Sequence, residues 1–286
     1  MHHRPGQGAH AHPRCSREAV DERWSVNPPG RPRRRSRYRL RAVLLDAYGT
    51  LFHYEPARLS ILFAAIVERL NVPIDSEILL QHWRVHETAF RQSRVWLTDD
   101  GEWDAPPPDQ FTPYREAWRN AFELASAELS LDPAYIPSAI KMIYEDLKGR
   151  GMYRDVQPAL EALRARVPLA IVSNADHEYL HGTIATHGLA FDHVIHSEGV
   201  KIYKPHPRIF ETALAAFGID DPSHAIYVGD TPKEDIHGPQ GIGIPAVWIN
   251  RAGADWPSDI PTTPDYEISS LLGLVDIVAS KTLSAL

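Results

Sequence analysis

Five short apolar runs set the limits on what this chain can become: residues 42–45, 169–172, 194–195, 225–228 and 246–249. Each is continuous rather than alternating, the pattern of a strand buried on both faces. Helical periodicity fills the intervals over 159–166, 178–187 and 207–217. Strands that alternate with helices predict an α/β fold, a doubly wound parallel sheet. Residues 265–268 read as a late edge strand and 269–279 as a last helix. The rhythm fails only after the first run. Residues 58–149 are helical in pattern, with Leu59, Leu62, Phe63, Ile66, Val67 and Leu70 at helical spacing, apart from a loop-like stretch at 99–113. The reading is therefore a basic tail over 1–40, a core made of 41–57 and 150–286, and an inserted helical cap over 58–149.

Charge is segregated along the chain. Residues 1–41 hold eleven Arg and three acidic residues, a balance of +8, which leaves −15 on the remainder. A body that acidic repels phosphate backbones, which argues against nucleic acid as a partner. Seven Arg fall between Arg31 and Arg41, in a segment rich in His, Pro and Gly without apolar period. That composition predicts a disordered, solvated tail. No apolar stretch reaches the ~18 residues of a membrane span, and the first 20 residues lack the apolar run of a secretory leader. One cysteine, Cys15, fits a reducing compartment. The expectation is a cytoplasmic protein with a small-molecule substrate and no membrane partner.

Ligands of a parallel sheet bind beyond the carboxyl ends of its strands. The residues there are chemically rich. Asp46-Ala47-Tyr48-Gly49-Thr50-Leu51 follows the first run, Ser173-Asn174 the second, and Gly229-Asp230 the fourth, with Asp235 five residues on; Lys204-Pro205 precedes the fourth. Asp46, Asp230 and Asp235 would meet in one pocket, where three carboxylates repel unless a cation neutralises them. An all-oxygen donor set suits Mg²⁺. Asp46 could then attack phosphorus to give an aspartyl-phosphate, while Ser173, the backbone near Asn174 and Lys204 hold the non-bridging oxygens.

These four motifs, in this order, resemble those of the haloacid dehalogenase-like superfamily over about residues 40–280. The resemblance implies a Rossmann-like core with a helical cap and a hydrolase. It makes Asp46 the nucleophile and Asp230 a magnesium ligand, with the Tyr48 carbonyl also on the metal. Ser173 and Lys204 would contact the transferred group, Thr50 would bond near the nucleophile, and Asp235 would support the metal shell or Lys204. His53 and Arg84 are candidate substrate contacts.

One departure divides the readings. Phosphatases of this superfamily carry a general-acid aspartate two residues after the nucleophile, where this chain has Tyr48. Tyr48, Trp83-Arg84 and Trp248-Ile249-Asn250-Arg251 resemble the L-2-haloacid dehalogenases, whose halide leaves without a proton. Asp230 departs from those enzymes, which carry serine in that motif and need no metal; Pro232 stands in place of their asparagine and Phe210 in place of a tyrosine. The retained carboxylate favours a magnesium-dependent phosphatase of a small phosphorylated metabolite. A dehalogenase and a non-catalytic binding module are the alternatives. His177 and His181 lie four apart on one helix face and read as exposed, for want of a third ligand.

Overall fold

The computed structural model describes residues 40–55, 57–97, 103–105 and 108–283; the basic tail lies outside the described residues. These described residues belong to one compact unit. A six-stranded sheet runs through it: β1 (Ala42–Leu45), β4 (Leu169–Ser173), β5 (His193–His196), β6 (Ala225–Gly229), β7 (Ala246–Ile249) and β8 (Tyr266–Ile268). The order is β5-β4-β1-β6-β7-β8 with every pair parallel. The chain winds outward from β1 to one edge and then to the other. The switch point, where a doubly wound sheet opens a crevice, therefore flanks β1.

Strand β1 feeds two cores, because successive side chains leave opposite faces. Val43 and Leu45 join the larger core with α5 (Val156–Arg164), through Val156, Ala159, Leu160 and Leu163. Ala42 and Leu44 join the second, with Ile209, Phe210, Ala213 and Leu214 of α8 (Pro207–Ala216). All four β1 residues are fully buried, which explains the absence of alternation in the sequence.

Between β1 and α5 the chain makes α1 (Ala57–Leu70), α2 (Ser76–Ser93), α3 (Tyr114–Glu128) and α4 (Ile136–Lys148). These helices form the cap. Each turns an apolar stripe inward, as with Ile136, Ala139, Ile140, Ile143, Tyr144 and Leu147 of α4. The stretch read as loop at 99–113 carries one strand of an antiparallel ribbon, β2 (Trp96–Leu97) against β3 (Trp103–Asp104). Two-residue strands are too short to show a period in sequence. The insertion leaves and re-enters through adjacent backbones: Phe52 pairs antiparallel with Met152, His53 N–H donates to Gly151 O at 2.8 Å, and Tyr153 N–H to Leu51 O at 3.1 Å.

The remaining helices are α6 (His177–Thr186), α7 (Ser197–Val200), α9 (Gly238–Gly241) and α10 (Leu272–Leu283). Helix α10 starts three residues later than its sequence pattern predicts. Ser270 Oγ and the Leu271 N–H both donate to Asp155, which holds that segment as a bend. Among the described residues no helix is long and apolar enough to cross a membrane.

Candidate active site

The loop after β1 turns at once. Asp46 keeps its N–H in the sheet, donating to Val228 O at 2.9 Å, while Leu51 and Phe52 both donate back to Ala47 O. Gly49 sits at φ +90, and a Cβ there would overlap the Asp230 carboxylate. The glycine is thus required by backbone conformation and by the neighbour it admits. Gly229 has the same role toward Asp235, whose carboxylate fills the place of its missing Cβ.

The nucleophile candidate is gripped on one side. Asp46 Oδ1 accepts from Ser173 Oγ at 2.9 Å and from Lys204 Nζ at 2.7 Å. Lys204 is 2% exposed and spends all three ammonium protons: on Asp46, on Asp235 Oδ1 at 2.6 Å and on Tyr227 Oη at 3.0 Å. Burial works against its charge, yet Asp235 and Asp46 together hold its pKa well above the usual lysine value. Tyr227, which reads in sequence only as part of an apolar strand, donates to Val172 O at 2.8 Å and lies 3.0 Å from Asp235 Oδ1.

One carboxylate oxygen from each of Asp46, Asp230 and Asp235 lies within 4.8 Å of the others. Burial and then the Asp235 and Asp46 charges push the Asp230 carboxyl well above the carboxylate range. Burial likewise raises Asp235, to about 7. Asp230 Oδ1 is buried and accepts no hydrogen bond, and Thr50 Oγ1, on the residue after Gly49, is also without a partner. A buried anionic oxygen without a donor costs several kcal/mol unless a cation meets it (~1–3 or more). Donor chemistry and unfilled valence both fit a hard divalent cation held by Asp46, Asp230 and Asp235.

Residues 232–237 form a π-helical turn (Pro232–His237) in which the Gly238 N–H reaches back to Lys233 O. A wider turn lets two consecutive acids face the site. Asp235 meets Lys204. Glu234 accepts from Asn174 Nδ2 at 2.9 Å and from Arg94 Nη2 of α2 at 2.7 Å. Asn174 in turn clamps the Lys204 backbone, accepting its N–H at 2.7 Å and donating to its carbonyl at 3.1 Å. Asp176, two residues on, accepts the Tyr114 and Arg115 N–H groups at 3.0 and 2.8 Å. It thereby caps the N-terminus of α3, whose own N-cap residue, Pro113, has no side-chain acceptor.

The structure thus joins Asp46, Ser173, Asn174, Lys204, Asp230 and Asp235, while Tyr48, His53 and Arg84 face elsewhere. The Tyr48 hydroxyl is 2.8 Å from Thr183 Oγ1 of α6, and its ring packs on Phe52 and Tyr179. Burial raises its pKa further. His53 is half-exposed, bonded to Glu55 at 3.1 Å and packed on Tyr153. Arg84 stands exposed on α2, with no bond to the motif residues; the arginines that reach inward are Arg91 of that helix and Arg94 at its C-cap, about two and three turns later. Their signal in sequence was the helical period counted from the buried Trp83.

His177 and His181 do have a third imidazole beside them, His196 at the end of β5. His196 Nδ1 accepts the Gly199 N–H at 3.0 Å, so in the neutral ring Nε2 carries the proton and faces His177 Nδ1 at 3.3 Å. Metal ligation through Nε2 would need that proton on Nδ1 instead. His177 and His196 are bonded to each other, and His181 packs its ring against both.

A family model described as haloacid dehalogenase-like hydrolase matches residues 40–243. Haloacetate dehalogenase H-2 of Moraxella sp. (strain B) is 28% identical over 84% of this chain and 99% of its own length. Phosphoserine phosphatase of Thermus thermophilus is 32% identical over 56% of this chain and 63% of its own length. Among solved structures, a putative hydrolase of this superfamily from Bacillus subtilis, bound to magnesium, superposes with a TM-score of 0.65 at 19% identity, over 85% of this chain and all of that one. With the family match covering residues 40–243, which hold four of the six sheet strands, the inserted helices and all four motif loops, the chain belongs to the haloacid dehalogenase-like hydrolases.

Proposed function

We propose that this hydrolase is a magnesium-dependent phosphohydrolase that works through an aspartyl-phosphate on Asp46 and takes small substrates with good leaving groups. The observation that carries this reading is Asp230: a partly buried carboxylate with one buried, unpartnered oxygen, packed against two further acids. A carboxylate beside a carboxylate nucleophile hinders attack on any anion unless a cation offsets it. Asp46, Asp230 and Asp235 would hold the ion, with the Tyr48 carbonyl as a fourth candidate. Bound there, a divalent cation supplies charge neutralisation for an anionic substrate and a template for its oxygens.

The chain's own groups divide the remaining work. Ser173 and Lys204 both bond Asp46 Oδ1, which turns Oδ2 toward substrate as the attacking atom. With those protons committed to Asp46 and its neighbours, Thr50 and the backbone near Asn174 are left to donate to the transferred group's oxygens. No acid is poised over the leaving group, because the Tyr48 hydroxyl is spent on Thr183 and its pKa is raised. Acyl and aryl phosphates, which depart without protonation, are therefore the favoured substrates. Alkyl phosphates should react at least ~10²-fold more slowly, the usual worth of a general acid.

A second reading, displacement of halide from a 2-haloacid by the same Asp46, is favoured by that unprotonated leaving group and by the full-length similarity to the Moraxella dehalogenase. The deciding experiment is p-nitrophenyl phosphate hydrolysis with added Mg²⁺ and with EDTA, beside chloride release from chloroacetate and 2-chloropropionate. Mg²⁺-dependent phosphate release, abolished in Asp46→Asn, supports the first reading. Chloride release that survives EDTA establishes the second. A fully active Asp46→Asn variant would end both.

A further inference from the structure

We propose that Arg94 and Glu234 are positioning residues that make the grip of Lys204 on Asp46 depend on the cap. This rests on Asp46 and Lys204 being the reacting pair, as argued above. The path is continuous. Arg94, 7% exposed, comes from the end of α2 in the cap and donates to Glu234 Oε1. The other oxygen, Oε2, takes Asn174 Nδ2. That bond fixes which way the Asn174 amide faces, and the amide then holds Lys204 by both its N–H and its carbonyl. Lys204 Nζ completes the path at Asp46 and Asp235.

Electrostatics gives the contact its sense. Glu234 is partly buried, its side chain 22% exposed, and the buried Arg94 meets it at 2.7 Å. If the cap lifts Arg94 away, Glu234 becomes an uncompensated, partly enclosed carboxylate on the same side as Lys204. It then competes with Asp46 and Asp235 for that ammonium and releases Asn174 from its orientation. With the cap closed, Arg94 satisfies Glu234 and Lys204 stays on Asp46.

The π-helical turn is what makes this possible. It lets Glu234 face the cap while its neighbour Asp235 faces Lys204. Two further contacts join motif loops to the same cap segment: Asp176 holds the backbone of Tyr114 and Arg115, and the Tyr203 hydroxyl donates to Thr112 O at 2.9 Å. Neither of these passes through a charged group to Lys204, so Arg94–Glu234 alone carries the electrostatic link among them.

The test uses full-length Arg94→Met, Arg94→Lys, Glu234→Gln and the Arg94→Met/Glu234→Gln double variant, with thermal melting to establish folding. Two readouts are taken. The first is steady-state kinetics on whichever of p-nitrophenyl phosphate or chloroacetate the parent protein turns over. The second is the rate at which acetic anhydride labels Lys204, followed by mass spectrometry, which needs no turnover. The expected result is a kcat at least ~10-fold lower in Arg94→Met and Glu234→Gln with KM within about threefold, partial rescue in Arg94→Lys, and a double variant no worse than the poorer single one, as residues on one path give. Lys204 labelling should rise at least ~10-fold in the same variants, as the ammonium leaves its buried seat on Asp46 and Asp235. Folded variants with unchanged kcat and unchanged labelling overturn the proposal, as does strict additivity in the double variant. If the parent turns over neither substrate, the reading of Asp46 fails, and the labelling rates alone decide whether Arg94 and Glu234 hold Lys204.

Discussion

Asp46, Ser173 and Asp230 stand at strand ends that the apolar runs mark in sequence, with Lys204 before the fourth run and Asp235 just after it, so their convergence was legible. Tyr227 was not, since an aromatic inside a buried run looks like core until its hydroxyl is seen on Lys204 and Val172. Tyr48 was legible by position but not by direction; the hydroxyl goes to a helix more than a hundred residues away. The tightest residue-level constraint is Gly49. Its φ of +90 and the Asp230 carboxylate in the place of a Cβ both forbid a larger residue. Gly49→Ala should lower stability by about 1–3 kcal/mol from the backbone alone. It should also abolish the response of the melting temperature to Mg²⁺ by displacing Asp230. Denaturant unfolding with and without the ion checks both, and an unchanged Mg²⁺ response would show that Asp230 is not held by that fit.

The elements whose patterns run for several turns were read correctly as to type: β1, β4, β6, β7 and the amphipathic helices around them. What escaped were features too short or too non-local to show a period: the β2–β3 ribbon, the six-residue π-helical turn, and the third imidazole of the His177 cluster, brought in from β5 by parallel pairing of Ser173 with His196. Local sequence carries no record of such pairings. His196 also gives α7 its N-cap bond. Burial, and then His177 and His181, lower its pKa to about 4, against ~6.5 for an unfolded chain. Between those values the unfolded state binds a proton that the native state refuses, so this group costs nothing above about pH 6.5 and destabilises the fold as pH falls toward 4. Asn can make the same cap without titrating. His196→Asn should therefore lose less stability than the parent between pH 7 and pH 5, as read by melting temperature; parallel losses would show that His196 does not titrate in this way.

At the scale of the whole molecule, a cation site and a folding equilibrium are one system. Mg²⁺ bound only to the native state at a hundred times its dissociation constant adds about 2.7 kcal/mol. Without the ion, the three acids repel at the sheet's edge. Asp230→Asn should then raise the melting temperature in EDTA and remove the shift that Mg²⁺ gives the parent. A variant that melts lower in EDTA would argue that Asp230 is held by partners other than the ion. The division into sheet and inserted helices followed from a break in rhythm, yet no local pattern carries the geometry of the two crossings, since the pairing of residues 52–53 with 151–152 spans the whole insertion. That geometry has a consequence for descent. Because the insertion departs and returns through one antiparallel bridge, the sheet meets it as it would meet a short hairpin. The block between can be lengthened, shortened or exchanged for another while the residues on the strand ends keep their places. Selection can revise what such a protein accepts without disturbing how it reacts, and a graft at 53 and 151 is the laboratory version of that step.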